Sequence, residues 1–276
     1  MANEIEKYNG EIIIYQSEDG KIKLDVRLEE KTVWLTIDQM AELYGKARST
    51  INEHILNAYK EKEIEEAKTM RKIGNPDFST KPTNYYNLDV IISVGYRVKS
   101  VVGTHFRKWA TERLTEYMEK IISDVRNYVQ ARWEQGATHG VWHWDRVYEN
   151  GMKLLTPEVN PLVVGLFAYL HDSCRRNDGR DPMHGPRAAK FIDTIRTSQL
   201  AGMTDEEIGL LKEACRLHTS AHKTGNPTID ACFDADRLDL WRVGITPDPN
   251  HLATEKGKEI ARSTDYEALI RPWRPS

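Results

Sequence analysis

LVVGLFAYLHDSCRRNDG, residues 162–179, changes from apolar to polar at one adjacent pair, His171 and Asp172. Leu162–Leu170 is apolar almost all round, which predicts a buried central helix of an all-α module. Polar Ser173–Gly179 follows, so the helix delivers the doublet near its end. Adjacent residues on a regular helix point about 100° apart, and they can share one ion only where the geometry allows, commonly at a helix end. His143 in VWHWDRV and Asp236 in CFDADRLDL supply the same chemistry and complete the order H…HD…D. Imidazole nitrogen mixed with carboxylate oxygen suits Mg²⁺ or a divalent first-row metal: Mn, Fe, Co, Ni or Zn. Singly, a histidine such as His143 is an ordinary structural residue and an aspartate in DADRLD an ordinary cap. The joint occurrence carries the reading.

The chain around this stretch has 276 residues, 39% hydrophobic and 29% charged, a globular composition with room for two modules. The longest nearly uninterrupted apolar run, Val163–Leu170, is far too short for a membrane span. Cys174, Cys215 and Cys232 form no C-x-x-C pair, against a disulfide framework or zinc knuckle. With no apolar signal core in MANEIEKYNG, a cytoplasmic location is expected.

Charge and histidine are uneven. Lys68–Lys108 holds eight basic residues against Asp77 and Asp89, in a chain of net charge −3, and seven of nine histidines lie after residue 138. Two modules follow, residues 1–125 and 136–276, joined by a helical linker at 126–135. Phe106–Arg132 has the apolar spacing of one long helix, ended by the turn Glu134-Gln135-Gly136.

The first module reads as α+β. Alternating Glu11–Tyr15 and Lys21–Leu28 flank the hairpin signal Glu18-Asp19-Gly20, and Thr32–Leu35 adds a short strand. Thr36-Ile37-Asp38-Gln39 fits a capping box, whose helix stops at Gly45. Thr50-Ile51-Asn52-Glu53 reads as a second one. Two short helices joined at a glycine form the helix-turn-helix pattern, with Lys46, Arg48, Ser49, Thr50 and Asn52 at the end that approaches base edges. Basic Lys68–Lys72, including Arg71 and Lys72, then a polar loop at Gly74–Thr83 and Tyr85-Tyr86, suit a wing along a phosphate backbone. Two capped helices also occur in folds that touch no DNA.

EIIIYQSEDGKIKLDVRLEEKTVWLTIDQMAELYG (11–45) and YYNLDVIISVGYRVKSVVGTHFRKWATERLTEY (85–117) resemble the N-terminal region of RhuM-family virulence proteins. That resemblance implies DNA as a partner. HGVWHWDRVYENG (139–151), FAYLHDSCRRNDGRDPMHGPRAAKF (167–191) and DADRLDLWRVGITPDP (234–249) resemble the HD-domain phosphohydrolase superfamily. That resemblance makes His143, His171, Asp172 and Asp236 the metal ligands. It favours Asp236 over Asp234 from its place in Ala235-Asp236-Arg237-Leu238, leaving Asp234 as a supporting or capping residue. His184 and His218 are candidates for a second ion, since some two-metal HD proteins add two histidines between the doublet and the last aspartate. His139 and His222 are placed at the pocket mouth or surface, and His251 at neither.

The expected fold is thus an α+β winged helix-turn-helix followed by an all-α HD module. The expected activity is metal-dependent hydrolysis of a nucleotide or nucleic-acid phosphoester, with Asp172 and Arg146 catalytic. Asp172 binds metal and orients water, while Arg146, with Arg175, Arg176 and Lys223 as further candidates, neutralises phosphate. The alternative is a DNA-binding regulator whose HD fold senses a nucleotide without turnover. Mobile-element or phage defence is the association such a pairing suggests, and a homodimer is compatible with it. No phosphate-cradling G-x-x-x-x-G-K-[ST] and no G-x-S-x-G is present, against a nucleotide-driven motor or acyl transfer.

Overall fold

The computed structural model describes residues 11–29, 32–75 and 79–270, and divides the chain into two compact units, Met1–Met118 and Glu119–Ser276. No helix among the described residues is long and apolar enough to cross a membrane.

In the first unit, β1 (Glu11–Gln16), β2 (Lys23–Glu29) and β3 (Thr32–Trp34) form an antiparallel sheet in that order. The β1–β2 turn is closed by Asp19, which accepts from Ser17 Oγ at 2.7 Å and Lys21 N at 3.2 Å, while Gly20 takes φ +70°. Helix α1 (Ile37–Tyr44) opens on the Thr36–Gln39 capping box and ends at Gly45, whose φ of +60° is the left-handed cap that glycine adopts at least cost. Helix α2 (Arg48–Lys60) differs from the expectation at its start. Ala47 is the N-cap, without a side-chain bond, so Thr50 sits inside the first turn and the second capping box does not form. Only Lys46 and Ala47 separate Gly45 from α2. The helix therefore begins before Thr50 is reached, and Arg48 pairs with Asp38 of α1.

A short α3 (Glu66–Thr69) leads into a hairpin of β4 (Met70–Asn75) and β5 (Ser79–Tyr86), so strand replaces most of the expected polar loop; residues 76–78 lie outside the described set. Leu35 and Tyr86 exchange backbone hydrogen bonds of 3.0 and 2.8 Å, which ties the hairpin to the end of β3. Helices α4 (Leu88–Arg97) and α5 (Val101–Gln130) follow. The core gathers Tyr15, Val26, Leu35, Met40, Ile51, Ile91 and Phe106. Tyr44 donates to Ile91 O at 2.6 Å; a Cβ on Gly95 would lie 3.0 Å from its hydroxyl oxygen, and one on Gly103 3.2 Å from its ring. Helix α5 starts five residues earlier than its apolar spacing suggests, because its first turn is largely exposed and carries no periodic signal.

The second unit is helical: the end of α5, then α6 (Val141–Lys153), α7 (Pro161–Leu170), α8 (His184–Ile195), α9 (Asp205–Leu217), α10 (Pro227–Arg237), α11 (Glu255–Ser263) and α12 (Tyr266–Ile270). Helix α7 has no solvent face: every residue from Leu162 to Leu170 is buried. Its neighbours approach closely. A Cβ on Gly165 would meet Ile122 Cδ1 of α5 at 2.6 Å, and one on Gly151 of α6 would meet Val164 Cγ1 at 2.5 Å. Asn160 caps α7 by accepting from Leu162 N and Val163 N.

Candidate metal centre

Five helix ends bring the histidines and aspartates together. His143 lies in the first turn of α6, His171 caps the C-terminus of α7 with Asp172 next to it, His184 opens α8, His218 caps α9, and Asp236 lies in the last turn of α10. His143 and His171 are fully buried, and Asp172, His184 and His218 nearly so. Asp236 keeps 21% of its side chain exposed.

Their Nδ1 atoms are already committed. That of His171 lies 3.1 Å from both Phe167 O and Ala168 O, that of His184 2.5 Å from Asp181 O, and that of His218 2.8 Å from Cys215 O. The Nδ1 of His143 lies 2.7 Å from Asp239 Oδ2. A carbonyl or carboxylate oxygen only accepts, so each Nδ1 carries hydrogen and donates, and each neutral ring turns a bare Nε2 lone pair inward. Those lone pairs face each other: His143 and His171 Nε2 are 3.2 Å apart, and His184 and His218 Nε2 are 2.8 Å apart. Two acceptors at such distances repel unless a positive charge lies between them.

The carboxylates complete the set. Asp236 Oδ1 is 3.4 Å from His143 Nε2 and 3.8 Å from His171 Nε2, and Asp172 Oδ2 is 3.7 Å from each. Ligand atoms roughly 2.0–2.2 Å from a tetrahedral ion stand about 3.3–3.6 Å from one another, so the spacing fits a first-row cation. The other oxygen of Asp172, Oδ1, lies 3.0 Å from His184 Nε2 and 4.0 Å from His218 Nε2. Asp172 therefore stands between two pairs of imidazoles. Among the described residues, the groups His143–His171–Asp236, His171–Asp172–His218 and His139–His143–Asp172 each have the proximity to hold an ion.

Without an ion, a proton serves. Burial opposes a charge on His143, but the hydrogen bonds to Asp236 and Asp239 outweigh it and raise its pKa. Burial lowers His171 to about 3, so that ring stays neutral and accepts. Burial also opposes ionisation of Asp172, but the imidazoles around it, with His139 donating a hydrogen bond, hold its carboxyl well below the usual range. A metal ion bound here would displace that proton.

One participant was not found in the sequence. Asp239 is completely buried and accepts from Arg146 Nε and Nη2 at 2.6 and 3.0 Å as well as from His143. A buried histidine ligand needs a partner for its other nitrogen, and that requirement is the signal that could have picked out the last aspartate of DADRLD. Arg146 is thereby placed behind His143, not against the cluster. His139, expected at the mouth or surface, is partly buried with Nδ1 3.0 Å from Asp172 Oδ2. Asp234 caps: it accepts from Ala253 N at 2.7 Å and from Thr254 N and Oγ1 at 2.8 and 2.7 Å, ahead of α11. Arg175 Nη1 lies 3.2 Å from Asp172 Oδ1, whereas His222, Lys223 and His251 are exposed. Trp144 is buried and Trp142 is not.

In the first unit, Lys46, Arg48, Ser49 and Asn52 are exposed at the start of α2, and Thr50 is half-buried. Arg71 lies over the Trp34 ring at 4.7 Å, and Lys72 is partly exposed on β4.

No curated protein and no solved structure matches the chain. Residues 62–134, the β4–β5 hairpin and α4–α5 stretch that ends before the first cluster histidine, match the virulence protein RhuM family.

Proposed function

We propose that the second unit is an HD-type, metal-dependent phosphohydrolase acting on a nucleotide or nucleic-acid phosphoester, and that the first unit is a winged helix-turn-helix that contacts duplex DNA. The observation that carries the first part is the convergence of four bare imidazole nitrogens on two ionised carboxylates in a buried cluster. His143, His171, Asp172 and Asp236 hold one divalent cation, and Asp172 with His184 and His218 a second. Bound there, a divalent cation lowers the pKa of water and stabilises charge on a phosphoryl oxygen. Asp172 accepts a hydrogen bond from the attacking water and orients it. Asp239 fixes the ring of His143 and sets its tautomer, as outer carboxylates do for ligating histidines. Arg175, held beside Asp172, adds positive charge for the phosphate.

The test is a metal-by-substrate screen on the full chain, covering deoxynucleotides, cyclic nucleotides, and single- and double-stranded DNA with Mg²⁺, Mn²⁺, Fe²⁺, Co²⁺, Ni²⁺ and Zn²⁺. At least one pairing should give turnover that His171→Ala abolishes. A chain that retains metal but cleaves none of these sinks the hydrolase and leaves a nucleotide sensor.

The order α1, tight turn, α2, hairpin supports the DNA reading, with the exposed start of α2 facing base edges and β4–β5 as the wing. At net charge −3 the attraction must be local. Replacing both Lys46 and Lys72 with alanine should weaken binding to all duplexes alike and flatten the salt dependence by about 0.9 log unit for each phosphate left without its lysine. Asn52→Ala should instead alter preference among sequences. Absence of duplex binding by the full chain at low salt would remove DNA from its partners.

A further inference from the structure

Beside the cluster lies a cavity of about 580 Å³ lined by Ala137, Thr138, Trp142, Arg146, Trp241 and Arg242. Its volume is that of a small-ligand site. Its chemistry is two indoles and two guanidinium groups, and neither metal binding nor the helical core accounts for it. Trp142 is 73% exposed although its neighbours in sequence, His143 and Trp144, are fully buried. Arg146 lies 5.3 Å from the centre of the Trp241 ring.

Both arginines lead to the cluster through a single residue. Arg146 is gripped through Nε and Nη2 by Asp239, which also binds His143. Arg242 donates from Nε to Thr138 O at 3.0 Å and places Nη2 3.2 Å from His139 Nδ1, the nitrogen that reaches Asp172. The wall of the cavity is therefore continuous with the support of the candidate metal ligands. A ligand in it would have a planar ring against indole, and its anionic part beside guanidinium, one residue removed from the cluster. An aromatic base joined to a phosphate through a sugar has that distribution of chemistry.

We propose that this cavity is the base-binding subsite of the unit: it takes the nucleobase of one nucleotide, stacked on Trp142 and Trp241, with Arg146 and Arg242 on the phosphate side. The proposal deepens the phosphohydrolase reading and rests on it for the placement of the phosphate. The shared chemistry is a single nucleotide unit, either free or at the end of a strand.

The full chain is titrated with adenosine monophosphate, ribose 5-phosphate and a ten-residue oligothymidylate, once in EDTA and once in Mn²⁺, with binding followed by tryptophan fluorescence and calorimetry. Adenosine monophosphate should bind at least about tenfold tighter than ribose 5-phosphate in both solutions, Trp142→Ala should weaken it by about tenfold, and Trp142→Phe should recover most of that loss. Because Trp142 is exposed, its substitution spares the core, and an unchanged circular dichroism spectrum verifies this. The oligothymidylate affinity relative to that of the mononucleotide identifies the source. Equal affinity for the two small phosphates, or unchanged adenosine monophosphate binding in Trp142→Ala, overturns the subsite whatever the hydrolysis screen gives. Saturable binding that depends on Trp142, in a chain that hydrolyses no phosphoester, upholds the subsite and defeats the hydrolase.

Discussion

In the Asp172→Asn variant, metal affinity is expected to fall by more than about a hundredfold and hydrolysis to be lost with it. Removing an outer carboxylate from a histidine ligand costs 10–100-fold in affinity, and Asp172 faces the cluster directly with both oxygens. Oδ2 stands 3.7 Å from His143 and His171 Nε2, and Oδ1 stands 3.0 Å from His184 Nε2. Asparagine keeps the shape and removes the charge, so packing of the buried residue changes little. It also replaces one acceptor oxygen by an NH₂ donor aimed at nitrogens or at the ion. Metal analysis of the purified variant against wild type measures the effect. Full metal content in Asp172→Asn would show that the aspartate is not a ligand.

Gly185→Ala is expected to damage the second half of the cluster through the backbone. A Cβ on Gly185 would clash with Cys215 O and lie 3.3 Å from His218 Cε1. The first is a main-chain atom near the end of α9, so no rotamer change relieves it. Helix α8 must move off α9, and overpacking of this kind costs about 1–3 kcal/mol. For a unit of this size that lowers Tm by roughly 2–10 °C. His184 and His218, whose Nε2 atoms approach to 2.8 Å across this contact, would separate. If two ions bind, the metal content per chain drops by half while the His143–His171–Asp236 group keeps its ion. Unchanged melting and unchanged stoichiometry would mean that the close approach of α8 to α9 has no part in building the site.

How much of this can be read in advance depends on the range of the interaction. The β1–β2 turn, the Thr36–Gln39 capping box and the Gly45 stop are local, and each was legible because the residues that make it are within a few positions of one another. The same holds for His184 at the start of α8 and His218 after α9. Thr50-Ile51-Asn52-Glu53 misled for a physical reason: the capping-box pattern is present, but the tight turn after Gly45 starts the helix at Arg48. Asp239 was not found because it meets His143 across 96 positions, and only the need of a buried histidine for a partner on its other nitrogen points to such a residue. His139 sits outside any regular element and meets Asp172 across 33 positions. Arg146 was legible as a charge near the site, while the carboxylate that occupies it was not.

Helix α7 has a kinetic consequence. It is surrounded on all sides and ends in the doublet, so fraying at that end would expose Leu166, Phe167 and Leu170. Local opening of so buried an element approaches the cost of global unfolding. An ion held by the cluster therefore cannot escape by melting of the helix that presents it. The less protected side is that of Asp236, whose side chain is 21% exposed while His143 and His171 show none of theirs. A bound ion should exchange with solution by swinging of that one carboxylate, and its residence time would then be set by a side-chain gate, whereas its affinity would be set by all the ligands together.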